Sequence, residues 1–103
     1  MGFSWESLVI EEIIRGLEAR GITFNYYYYR TSQGAEVDLI LEGKFGLIPI
    51  EIKYPAGIKP NTLQPIKVFI KEHNCTFGII VSNGDKVMQY DKNLFVVPFS
   101  FCI

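Results

Sequence analysis

Apolar positions recur at helical spacing in the first segment. Val9, Ile10, Ile13 and Leu17 line one stripe between about Phe3 and Arg20, and at about 3.6 residues per turn Glu6 falls on that same stripe. Glu11, Glu12 and Glu18 point largely elsewhere, so the pattern predicts an amphipathic helix with one acid on its core-facing side. From Thr23 to Arg30 the chain turns to β-formers, with four consecutive tyrosines, Tyr26 to Tyr29, alternating between strand faces. Sheet packing is the expected use of these rings, and stacking on nucleic-acid bases is the other. Thr31-Ser32-Gln33-Gly34 reads as a turn. Two strand-like runs follow, Glu36 to Leu41 and Leu47 to Lys53, with a glycine-flanked turn between them.

The pairing of those two runs follows from their apolar positions. With Lys44 and Phe45 at the turn centre, between Gly43 and Gly46, Glu42 pairs with Leu47. Val37, Leu39 and Leu41 then share a face with Ile52, Ile50 and Ile48, and a slip of one residue would oppose the two apolar sets. On the other face Asp38 is expected opposite Glu51, and Glu36 opposite Lys53. Beyond this hairpin, Tyr54 to Pro60 reads as a loop. A second helix, capped by Asn61 or Gln64, is expected to run to about His73 with Leu63, Ile66, Phe69 and Ile70 facing inward. His73 at its end is explained by the helix dipole more readily than by catalysis. Thr76 to Val81 has the continuous apolar character of a buried strand with a parallel neighbour. After a turn at Ser82-Asn83-Gly84-Asp85, short strands are expected from Lys86 to Tyr90 and from Leu94 to Phe101, with Pro98 placing the last at an edge or cutting it short.

Charge singles out the hairpin. Glu36, Asp38, Glu51 and Lys53 are the only charged residues inside the two apolar runs, and an unpaired buried carboxylate is costly. Directly opposed residues have Cβ atoms about 4.5 to 5.5 Å apart, close enough for Asp38 and Glu51 to share one divalent cation. Hard cations such as Mg²⁺ are typically gripped by one or two carboxylates plus substrate phosphate, and Lys53 on the same face could orient water or stabilise charge on a phosphate. The four residues suggest metal-assisted phosphodiester hydrolysis. A cross-strand charge cluster, Glu36 with Lys53, is the plainer explanation, just as Glu6 could be an ordinary first-turn acid or a further ligand.

These blocks resemble the PD-(D/E)xK nuclease superfamily, in which a helix with a Glu precedes a three-stranded meander bearing an Asp and then an E-x-K strand. Gly2-Phe3-Ser4-Trp5-Glu6-Ser7-Leu8-Val9, Tyr29-Arg30-Thr31-Ser32, Gly34-Ala35-Glu36-Val37-Asp38 and Pro49-Ile50-Glu51-Ile52-Lys53 look like the nuclease-like C-terminal domain of unknown function found in prokaryotic AAA-type ATPases. Archaeal Holliday-junction resolvases are similar more weakly. The resemblance implies a restriction-endonuclease-like α/β (α+β) fold, αβββαβ, with a central mixed sheet flanked by helices. It implies Asp38 and Glu51 as ligands of Mg²⁺ or Mn²⁺, Lys53 as the catalytic lysine, Glu6 as a supporting helix acid and third ligand, and Glu36 beside them. It further implies DNA as substrate and an AAA-type ATPase domain as partner. The contrasting expectation is an inactive nuclease-like module that docks on or regulates such an ATPase. The Gln of some nuclease branches, followed four residues later by Tyr, has here Gln64 followed by Val68.

Composition refines this picture without redirecting it. At 103 residues and 49% hydrophobic content, one domain spanning 1–103 can bury a core, and an origin as part of a longer ATPase is one expectation. No apolar run reaches the roughly 20 residues of a membrane span, and no signal-peptide pattern is visible, so a cytoplasmic protein without a membrane partner is expected. Cys75 and Cys102 are too few for a disulfide framework or zinc site. Ten Lys and Arg against eleven Asp and Glu leave a net charge of −1, unlike the basic excess of most nucleic-acid binders. Lys59, Lys67 and Lys71 around the second helix, with Arg30, are what remains for a local patch. Exposed sheet edges would favour a homodimer.

Overall fold

The computed structural model describes residues 5–53, 63–82 and 84–101. Helix α1 (Trp5–Ala19) leads into strands β1 (Phe24–Arg30), β2 (Glu36–Gly43) and β3 (Gly46–Ile52). Helix α2 (Gln64–Glu72) then precedes β4 (Gly78–Ser82), β5 (Met88–Asp91) and β6 (Leu94–Pro98), and a 3₁₀ turn follows at Phe99–Phe101. The six strands form one mixed sheet in the order β1-β2-β3-β4-β6-β5. β1, β2 and β3 are antiparallel neighbours, β4 is parallel to both β3 and β6, and β5 is antiparallel to β6. This is the expected α/β arrangement, αβββαβ with two terminal strands.

Each face of the sheet has its own apolar cluster. On one side Val9 of α1 is buried against Leu39, Leu41, Ile50, Ile52 and Val81, with Ile10, Ile13, Leu17 and Phe99 completing the layer. On the other, Leu63, Ile66, Phe69 and Ile70 of α2 pack on Val37, Ile40, Ile80, Leu94 and Val96. The inward stripe expected for α2 is therefore realised in full. At its start Leu63, not Gln64, occupies the cap position without a side-chain cap bond, and Pro65 stands in the first turn, where a missing N–H costs nothing. Asn61, Cys102 and the Tyr54–Pro60 segment lie outside the described residues. Gly78 lets α2 approach β4 closely, because a Cβ there would lie 2.8 Å from the Ile70 side chain.

The β2–β3 hairpin has the expected register at its turn. Glu42 pairs with Leu47, Leu41 with Ile48 and Leu39 with Ile50, closed by Gly43 and Gly46, and Gly46 takes a φ of +93 that a side chain would strain. Pro49 sits in this central strand. Pairing with β4 begins one residue later, at Ile50 opposite Ile79, so its absent N–H interrupts no ladder bond.

Two expectations are corrected here, and a third is decided between its alternatives. Val37 does not share a face with Leu39 and Leu41, because Tyr27 pairs with Ile40 while Tyr29 pairs with Val37. Asp38 and Leu39 together oppose Tyr28 alone, a β-bulge that reverses the phase of β2. The tyrosines are not uniformly packing residues. Only Tyr29 inserts, edge-on against Phe69 at 4.7 Å, and Tyr26, Tyr27 and Tyr28 are exposed. Of the two alternatives for Pro98, the strand is cut short: β6 lies inside the sheet, between β4 and β5. The sheet edges are β1 and β5. Among the described residues no helix is long and apolar enough to cross a membrane.

Candidate active site

Two features pull β2 and β3 apart beyond the Leu39–Ile50 pair, where their ladder stops. The bulge redirects β2, and β3 continues instead along β4, with Glu51 opposite Ile80, Ile52 opposite Val81 and the Lys53 N–H donating to the Val81 carbonyl at 2.9 Å. The Ile52 N–H, now without a strand partner on the β2 side, donates to Asp38 Oδ2 at 2.9 Å. A carboxylate thus replaces a backbone carbonyl at the mouth of the hairpin.

The mouth is a cleft of about 350 Å³ lined by Glu6, Gly34, Glu36, Asp38, Glu51, Ile52, Lys53 and Pro65. All four residues expected from the sequence, Glu6, Asp38, Glu51 and Lys53, border it. Glu6, in the first turn of α1, is exposed; Asp38 and Lys53 are half-buried. Glu51 is the one buried charged residue among those described, only 5% exposed. Its pKa is pushed up to about 8, first by burial, then by a hydrogen bond with Asp38 and by the Asp38 charge, against which Lys53 acts in the lowering direction. Burial and the neighbouring Asp38 carboxylate thus both favour the protonated form of Glu51.

The plainer cross-strand pairing of Glu36 with Lys53 is not formed. Glu36 meets Arg30 at 3.7 Å, with both side chains largely exposed, a contact worth about 0–1 kcal/mol. No ion pair to Lys53 occurs among the described residues. The local basic patch is also thinner than expected, since Lys67 is engaged by Asp91 at 3.6 Å and lies over the Tyr90 ring, and Lys59 is outside the described residues. His73 stacks on Phe69 at 4.1 Å and its Nδ1 lies 3.2 Å from the Phe69 carbonyl, away from the cleft.

The donor set fits a hard divalent cation: oxygen atoms only, on two carboxyl groups lining one cleft. Among the described residues no group of three or more His, Cys, Asp and Glu is arranged to hold a metal, so within them a cation would have two carboxyl ligands. One neighbour of the cleft was not singled out from the sequence. Tyr28, opposite the bulge, has its hydroxyl beside the Glu36 carboxylate, which raises its pKa chiefly by accepting its hydrogen bond. The signal available was the tyrosine run itself, because alternation cannot bury four successive rings at an edge.

A family model described as Domain of unknown function (DUF4143) matches residues 1–102. The chain belongs to the DUF4143 family. No curated protein and no solved structure matches it. Within this DUF4143 domain, the cleft between the N-terminal turns of α1 and α2 is where polar chemistry meets the sheet.

Proposed function

We propose that this DUF4143 domain binds one divalent cation, Mg²⁺ or Mn²⁺, at the open end of the hairpin and hydrolyses DNA phosphodiesters in the manner of the PD-(D/E)xK nucleases its sequence resembles. The observation that carries the reading is the convergence of Glu6, Asp38, Glu51 and Lys53 on one cleft, with Glu51 buried against Asp38. Asp38 and Glu51 would hold the ion, with Glu6 supporting from α1. A bound cation of this kind polarises a phosphoryl oxygen and makes a coordinated water more acidic. Glu51 must give up its proton to serve as a ligand. Asp38 is held in place by the Ile52 N–H. Lys53, free of ion pairs among the described residues, offers an ammonium to charge developing on the phosphate.

The test is cleavage of supercoiled, single-stranded and four-way-junction DNA with Mn²⁺ or Mg²⁺, comparing wild type with Asp38→Ala and Lys53→Ala. Metal-dependent cutting lost in both variants is the expected result. Folded, cation-binding protein that cuts none of them would contradict hydrolysis and leave the reading of an interaction module for an AAA-type ATPase.

A further inference from the structure

Three aromatic rings on one seven-residue strand stand largely in solvent: Tyr26 is 53% exposed, Tyr27 41% and Tyr28 54%. Core packing does not explain them, since Tyr29 alone supplies the contact with α2. They also belong to an edge strand, where a protein normally presents charge or proline rather than bare rings. Their directions follow from the register. Tyr26 pairs with Leu41 and follows Phe24 on the α1 side, with the Phe24 and Tyr26 rings 6.1 Å apart. Tyr28, two residues on, projects to the same side by strand alternation, whereas Tyr27 lies across from Ile40 on the α2 side. Tyr28 lies across from the bulge residues Asp38 and Leu39, and Asp38 itself lines the acidic cleft. The aromatic row is thus continuous with the cleft.

Charge selects the occupant. Duplex binding draws most of its affinity from neutralising phosphates with Lys and Arg, but the chain carries a net charge of −1. Arg30, Lys67 and Arg15 are each paired with an acid. Single strands depend less steeply on phosphate neutralisation than duplexes do, and stacking of unpaired bases on aromatic side chains adds affinity that tolerates any sequence. Bases in a duplex are stacked on one another and present no free face to a ring on a strand.

We propose that Tyr26 and Tyr28 form a stacking platform for unpaired bases, which delivers single-stranded nucleic acid to the acidic cleft. The proposal rests on the hydrolytic reading for what happens to the strand, but not for how the strand is held. It also gives the bulge a second use, since the two residues of β2 that oppose Tyr28 include Asp38.

The experiment is fluorescence anisotropy of a labelled 15-nucleotide oligothymidine and of the same strand in a duplex, with Ca²⁺ in place of Mg²⁺. The full chain is compared with Tyr26→Ala/Tyr28→Ala and Tyr26→Phe/Tyr28→Phe. Wild type should bind the single strand at least ten-fold more tightly than the duplex. The alanine pair should lose roughly ten-fold per ring, and the phenylalanine pair should retain binding because the rings remain. Thermal melts of the exposed-site variants check folding, with the phenylalanine pair as the folded control. Equal affinity for duplex, or unchanged single-strand binding by the folded alanine pair, would overturn the platform. So would sedimentation in which the alanine pair dissociates a wild-type dimer without altering single-strand affinity, which would make the rings a seam between copies. Binding of single strands through these rings by a protein that cuts nothing would refute hydrolysis and support the platform. Duplex cutting indifferent to both rings would refute the platform alone.

Discussion

The two ends of the β2–β3 hairpin are built from the same alternating sequence and behave as opposites. At the turn, backbone pairs run without interruption from Gly43–Gly46 to Leu39–Ile50, and the side chains they carry divide between two dry clusters. At the mouth the ladder stops, a bulge turns Val37 to the other face, and the next inter-strand bond is made by a side chain, Asp38 to the Ile52 N–H. The closed end derives its stability from packing. The open end leaves a buried acid beside another acid, an arrangement that disfavours the charged form of Glu51.

Substitution at the closed end should have the largest effect. Ile40, fully buried between β2 and α2, is predicted to lose about 2–5 kcal/mol on replacement by Ala, read from urea unfolding. A loss below about 1 kcal/mol would mean that this end is no better packed than the mouth. The open end should respond with the opposite sign. Glu51 has a folded-state pKa raised from 4.5 to about 8, so its contribution to stability is fully present below pH 4.5 and is lost as the pH rises toward 8, while the unfolded chain releases the proton first. Glu51→Gln, which cannot ionise, should therefore gain on wild type by about 1–4 kcal/mol at pH 9 in EDTA relative to the difference between them at pH 4. Thermal melts at the two pH values check this. A difference independent of pH would show Glu51 to be an ordinary solvated acid.

How much of this could be read from the chain differs between the same two ends. The turn and register followed from Gly43, Gly46 and the alternating Leu and Ile positions, because a one-residue slip would expose a whole apolar face. Glu6, Asp38, Glu51 and Lys53 were legible as site candidates, since charges inside apolar runs stand out. The bulge was not. It depends on β1, whose Tyr28 faces two residues of β2, and no local pattern in Glu36 to Leu41 marks it. Hence Val37 was expected among the α1-side residues, and the exposure of Tyr26, Tyr27 and Tyr28 was hidden by their high strand propensity. The central place of β6 was hidden for a related reason, as Pro98 signals an edge or an end and only the crossover from β4 decides which.

The proposed cation site at the mouth of the hairpin is tested most directly by calorimetric titration with Mn²⁺. Runs at pH 6.5 in two buffers of different ionisation heat, on wild type and Asp38→Ala, would count the protons released. The account predicts one-to-one binding that releases up to one proton as Glu51 becomes a ligand, tightens as the pH rises toward 8, and is lost in Asp38→Ala. Binding that releases no proton and survives Asp38→Ala would contradict it and move any cation away from this cleft.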